Sequence, residues 1–152
     1  MPTYAAPLRD MQFVMHELLD VEGTFKRSSK YAEVDKDTIN QVLEEASKFC
    51  ANVLLPLNQV GDKEGCHRLD DGSIKTPTGF KDAYQQFIDG GWAALACDAN
   101  FGGQDLPQLV NSAVYEMMNS ANQAWTMYPG LSHGAYECLH AHGTAYQKNT
   151  YL

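Results

Sequence analysis

Ile39, Val42, Leu43, Ala46, Phe49, Cys50, Val53 and Leu54 recur at three- and four-residue spacing through one unbroken stretch, and this stripe constrains the chain more than any other feature. Such a pattern puts apolar side chains along one side of a long helix and commits that side to burial against other elements. Asp37 is the expected N-cap. Pro56 limits the helix by removing a donor, with a kinked continuation as the alternative. Glu44, Glu45 and Lys48 fall on the opposite side and read as a solvated surface rather than an acid–base pair.

Other stretches repeat the helical spacing. After an extended lead containing Pro2 and Pro7, Met11, Val14, Met15, Leu18 and Leu19 predict a helix from Leu8 to about Asp20. VEGTFKRSSKYAEVD then reads as a loop or a broken helix. Between Gly61 and Gly79 turn formers dominate, and Asp71-Gly72 between Leu69 and Ile74 suggests a tiny hairpin. A helix starting at Thr76-Pro77 or at Thr78 carries Phe80, Tyr84, Phe87 and Ile88 and ends at Gly90-Gly91. Another runs from Leu106 to about Asn119, and Pro129-Gly130 is expected to break the pattern before a final pair, Leu131 to His142 and Thr144 onward. Thr144 with Gln147 has the spacing of a capping box. The fold class is therefore all-α, a helical bundle of about five to six helices with irregular connections.

Bulk properties narrow the function classes. A formal net charge of -8 over 152 residues opposes binding to phosphate polymers and anionic lipid surfaces, so nucleic acid is not an expected partner. No run approaches the roughly 20 apolar residues needed to span a bilayer, and the N-terminus lacks a basic segment followed by an apolar one, so membrane insertion is not expected. Cys50, Cys66, Cys97 and Cys138 stand far apart without a C-x-x-C pair, which fits free thiols in a reducing, cytoplasmic setting. Cys138, His140 and His142 invite a zinc reading, but no second ligand pair stands at the required spacing, and no metal site is expected. FGGQ is not the G-x-G-x-x-G that follows a strand and cradles phosphate.

Composition and spacing end at a helical domain; longer motifs go further. The run GFKDAYQQFIDGGWAALACDANFGGQDLPQLVNSAVYEMM, residues 79 to 118, resembles the N-terminal helical domain of acyl-CoA dehydrogenases, with its Gly-terminated helix, short apolar run and aromatic-Gly-Gly-Gln turn. GTAYQKNTYL is similar to the segment that closes this domain, and PLRDMQFVMHELLDV and LLPLNQVGDKEGC resemble the larger bacterial branch, which includes long-chain and 3-methylmercaptopropionyl-CoA enzymes. Two departures stand out. Asp98-Ala99-Asn100 replaces the proline and acidic residues that usually precede the Gly-Gly turn, and Gln104-Asp105 stands where many members have Gly-Gln-Gly.

The resemblance implies FAD-dependent α,β-desaturation of an acyl-CoA thioester in a parent protein, with a glutamate base in a C-terminal helical domain and a flavin held mostly by that domain and a β-domain. It divides the chain into an N-terminal extension, 1–34, and the N-terminal helical domain, 35–152, and implies a chain cut at a domain border. No catalytic residue and no bound cofactor are then expected here. A wall of the acyl pocket carries over onto Trp125, Thr126, Pro129 and Gly130, with His133 beside them; the alternative is that Trp125 and Tyr128 are simply core aromatics. Implied partners are acyl-CoA, the absent β- and C-terminal domains and an electron-transfer protein, with self-association through uncovered apolar surface. A stand-alone helical interaction module is the competing reading of the same Met- and aromatic-rich surface.

Overall fold

The computed structural model describes residues 3–152, and the part of the expected extended lead that contains Pro2 lies outside the described residues. Leu8–Gln12 forms α1 and continues as a π-helical segment, Phe13–Leu18; Val21–Phe25 forms α2. The long stripe becomes α3, Lys36–Phe49, a π segment, Cys50–Leu54, and α4, Leu55–Glu64. A small hairpin follows, β1 (His67–Arg68) and β2 (Ile74–Lys75), then α5 (Phe80–Asp89), two 3-10 turns (Trp92–Ala94 and Ala99–Phe101), α6 (Gln108–His142) and α7 (Ala145–Tyr151). The architecture is all-α apart from the hairpin.

The core lies where α3, its π segment and α4 pack against α6. Leu43, Cys50, Leu54, Val110, Met117 and Met118 are completely buried there. Burying a Leu or Met side chain gains about 1.5–3 kcal/mol, so this contact supplies the main apolar driving force for the fold.

Several boundaries differ from the spacing-based expectation, each for an identifiable reason. The N-cap of α3 is Asp35, not Asp37: Asp35 Oδ1 accepts the Thr38 N–H at 2.8 Å, which places Asp37 in the first turn. Pro56 does not end the helix. The wider π turn just before it, with the Leu55 N–H reaching back to the Cys50 carbonyl, makes room for the ring, and the helix runs on through Gly61 to Glu64. In the first helix Met11 of α1 and Met15 of the π segment are buried, whereas Val14, Leu18 and Leu19 face outward, because the extra residues per turn of the π segment carry these positions off the stripe.

The largest departure lies in α6. Pro129 does not break it; the break is at Asn122, whose backbone is extended at φ -159°, ψ 85°. Asn122 is fully buried and acts as a cap inside the run. Its Oδ1 accepts the Trp125 N–H at 3.1 Å, and its Nδ2 donates to the Leu54 carbonyl at 3.1 Å. A buried side chain that satisfies both parts of the molecule therefore sets the bend. α5 starts at Phe80, after Gly79 in the left-handed region, rather than at Thr76 to Thr78, and α6 starts at Gln108 rather than Leu106, with Pro107 extended before it. The hairpin and the last helix follow the sequence reading. His67 pairs with Lys75 and Arg68 with Ile74 around Asp71-Gly72, and Thr144 and Gln147 form the reciprocal capping box of α7.

Candidate functional site

Beyond Asn122, α6 faces the connection between α5 and its own start, and a cleft of about 180 Å³ lies between them. Tyr84 and Phe87 of α5, with Ala94, Cys97 and Phe101 of the connection, form one wall. Pro129, Ser132, His133 and Tyr136 of α6 form the other, with Leu152 at the edge. The α5 helix stops where the chain reverses through Gly90 and Gly91, and Gln104 Nε2 donates to the Gly91 carbonyl at 2.8 Å, so the apolar run is folded back against the next turn.

That turn, residues 98–105, is tightly built. Gly102 adopts φ 83°, the left-handed region that favours glycine. At Gly103 a Cβ would overlap the Cys97 carbonyl, so the backbone approach requires a residue with no side chain. The N–H groups of Gly102, Gly103 and Gln104 go to the carbonyls of Ala99, Asp98 and Ala94 at 3.0–3.1 Å. With these donors spent internally, the turn itself is no cradle for a dinucleotide pyrophosphate.

His133, Tyr136 and His140, spaced three and four residues apart, stack along one side of α6. Tyr136 lies 6.2 Å from His133 at 16° between planes, and 5.4 Å from His140 at 15°. The Tyr136 hydroxyl accepts the Asp98 N–H at 2.7 Å, and His140 Nε2 meets Asp98 Oδ2 at 3.1 Å. These contacts tie the turn to the helix. A second cleft of about 540 Å³ adjoins the first, shares His133 and Tyr136, and is walled also by Lys30, Tyr31 and Glu137.

The electrostatics favour a neutral lining. Burial raises the Cys97 and Tyr136 pKa values above their ordinary range, and pushes Tyr115, behind His133, up to about 12. Near neutral pH these groups keep their protons, so Cys97 is a thiol rather than an activated nucleophile. Cys50, in the core, is likewise pushed up to about 12 by burial. Asp98 is held below the usual carboxylate range, chiefly by the Asn100 backbone N–H and then by the His140 ring. Among the described residues no group of three His, Cys, Asp or Glu side chains could hold a metal ion; Cys138 is exposed, and His140 is engaged with Asp98. What the first cleft offers chemically is a mostly apolar, aromatic wall.

Of the residues singled out from sequence, Pro129 and His133 line the cleft. Trp125 is 3% exposed and lies beneath it, with its indole N–H donating to the Phe80 carbonyl at 3.2 Å and its ring 5.5 Å from Phe87. Thr126 is also buried; its hydroxyl donates to the Asn122 carbonyl at 2.9 Å. Gly130 sits next to Pro129 and is partly exposed. Tyr128 is an outer residue, 65% exposed, with its ring edge-on to Tyr84. Sequence reasoning missed Phe101, Tyr136 and the role of Asp98. The spacing of His133, Tyr136 and His140 was the available signal for the aromatic stack.

Residues 36–152 match the family model for the acyl-CoA dehydrogenase N-terminal domain. Over 150 residues, 99% of this chain and 25% of the relative, the sequence is 39% identical to a 3-methylmercaptopropionyl-CoA dehydrogenase of Ruegeria pomeroyi. It is 28% identical to a broad-specificity linear acyl-CoA dehydrogenase of Mycobacterium tuberculosis, over 97% of this chain and 24% of that protein. A butyryl-CoA dehydrogenase of Syntrophomonas wolfei is 26% identical over 98% of this chain and 25% of its own length. The chain thus spans about a quarter of the length of the curated relatives it matches.

Proposed function

Because the chain belongs to the acyl-CoA dehydrogenase family, we propose that it serves as the N-terminal helical domain of an FAD-dependent enzyme that desaturates an acyl-CoA thioester between its α and β carbons. The observation that carries this reading is the mostly apolar, aromatic-lined cleft between α5 and the second half of α6. FAD, in this reading, is the cofactor of the whole enzyme, and the Gly102–Gln104 turn, whose N–H groups bond internally, does not cradle it.

The part taken by this chain is steric. Pro129, His133 and Tyr136 on one side, and Phe87 and Phe101 on the other, form a wall against which the acyl carbons pack. Trp125 and Thr126 support that wall from below, and Gly130 keeps the helix surface narrow beside it. An acyl chain placed there would exchange water for apolar contact at about 0.8 kcal/mol per CH₂. The division into an extension, 1–34, and a domain, 35–152, is supported by the match beginning at residue 36 and by the cap at Asp35. Met11, Met15, Val21 and Phe25 nevertheless belong to the common core, so the extension is built into the domain rather than appended to it.

Met127, Tyr128 and Leu131 stand 60%, 65% and 73% exposed on adjacent turns of α6. A clustered apolar surface of this kind fits a covering element. In the family reading the further domains of the enzyme cover it; in the second reading, an interaction module, a separate protein or another copy does so. The substrate class suggested by the relatives' names runs from butyryl-CoA to 3-methylmercaptopropionyl-CoA, and a cytoplasmic location with an electron-transfer partner completes the proposal.

No helix among the described residues is long and apolar enough to cross a membrane. The test is anaerobic mixing of the protein from the complete reading frame with short-, medium- and long-chain acyl-CoA thioesters while flavin absorbance is followed. Bleaching by at least one thioester, with chain-length preference altered in His133→Ala and Tyr136→Ala, is the expected result. A protein without flavin, or one that no thioester reduces, sinks the reading.

A further inference from the structure

The connection between α2 and α3 lies outside the region that matches the family domain, yet it reaches the turn that walls both clefts. Lys30 Nζ stands 2.8 Å from Asp105 Oδ1. The same ammonium lies 5.5 Å from the centroid of the Tyr31 ring, a cation–π distance. Tyr31 is itself anchored, with its ring 5.8 Å from that of Phe25, which is buried in the core. Lys30 is therefore not a loose surface lysine. It is presented from a core-anchored loop toward one carboxylate.

The receiving end has an uncommon backbone. Asp105 holds φ 52°, in the left-handed region that aspartate and asparagine enter more readily than other side chains. Its other carboxylate oxygen accepts the Ala99 N–H at 3.1 Å, closing the turn across its own mouth. Its backbone N–H reaches the Cys97 carbonyl at 3.0 Å. Lys30 holds the Asp105 carboxyl below the ordinary range, and that carboxylate in turn raises Lys30. Each partner favours the charged form of the other.

We propose that Lys30 is a positioning residue: by its ion pair with Asp105 it clamps the turn of residues 98–105, and so sets the separation of the walls of the two clefts that this turn helps to form. The clamp goes beyond the acyl-pocket reading, because its action is on the turn whatever enters the cleft. It also gives residues 26–34, which precede the matched region, a task in the site. The Asp98 contacts with Tyr136 and His140 hold one end of the turn, and Lys30 holds the other.

The test is amide hydrogen exchange on the 152-residue chain, resolved at Ala99, Asp105 and Leu106, with Val114 and Met117 as core references. Lys30→Met should speed exchange at Ala99 and Asp105 by about threefold or more and leave the core amides unchanged. Lys30→Arg should restore wild-type protection, and salt at about 1 M should reproduce the Lys30→Met pattern in the wild type. Asp105→Asn, which tolerates the left-handed backbone but lacks the charge, should match Lys30→Met, and combining the two should add nothing further. Unchanged exchange in Lys30→Met, failure of Lys30→Arg to restore protection, or multiplying effects in the double variant would each overturn the clamp. A protein that fails to reduce its flavin with any thioester leaves these rates unaffected, so the two readings fail separately.

Discussion

The two halves of α6 belong to one continuous run but are held in place by different physics. Before Asn122, Val110, Val114, Met117 and Met118 are completely or almost completely buried against α3 and its π segment, and the half is fixed by apolar packing. After Trp125 the helix exposes Met127, Tyr128 and Leu131 and is fixed by a few directed contacts, stacked rings and the Asp98 bonds to Tyr136 and His140. Packing is additive over many weak contacts and tolerates no cavity; directed contacts are few and can be lost one at a time. The first half therefore carries stability, and the second is free to carry a surface chosen for something else.

Variants ordered by expected effect probe this contrast. Leu54→Ala, beside the first half, should cost about 3 kcal/mol in denaturant unfolding, because it removes a fully buried side chain and leaves a cavity. A loss under about 1 kcal/mol would mean that the core is less closely packed than the burial implies. Asn122→Ala removes a cap and leaves both the Trp125 N–H and the Leu54 carbonyl without their partner, so about 2 kcal/mol should be lost. Because Asn122 joins the halves, amide exchange should rise along residues 123–133 more than along 110–118; a uniform rise would mean that the two halves are held in the same way.

Smaller effects belong to the second half. Tyr136→Phe keeps the ring stack but removes the acceptor for the Asp98 N–H, at a cost of about 1 kcal/mol that should appear as faster exchange at Asp98 with the core unaffected. The smallest is a pH effect. The Asp98 carboxyl sits below its ordinary value when folded, so its contribution is present above the unfolded carboxylate pKa, about 3.9, and is lost as pH falls through the lower folded value. Thermal melts of Asp98→Asn should consequently differ from wild type near neutrality and converge with it in strong acid; divergence that grows on acidification contradicts this assignment.

The sequence made visible much of what depends on local pattern, although the α3 cap stands at Asp35 rather than Asp37. The Ile39 to Leu54 stripe, the Asp71-Gly72 hairpin and the Thr144/Gln147 box each rest on residues within a few positions of one another, and each appears in the structure. The break in α6 was invisible by the same logic. Pro129 is the obvious local breaker, but Asn122 bends the run because its amide finds the Leu54 carbonyl, 68 residues away. At the candidate site, Pro129 and His133 came from family resemblance. Phe101 and Lys30 enter only through contacts made across the fold. The departure from Gly-Gln-Gly at Gln104-Asp105 acquires a physical meaning only there, since Asp105 occupies a glycine-like backbone conformation that an aspartate can use for an ion pair.

The tight approach at Gly103 has one consequence for any population of variants. Since even a methyl group there meets the Cys97 carbonyl, a backbone atom that cannot rotate away, no choice of rotamer relieves the overlap. In a saturation library scored for folded protein, that position should be a blank column beside permissive neighbours such as Asn100, and random drift through sequence space must route around it.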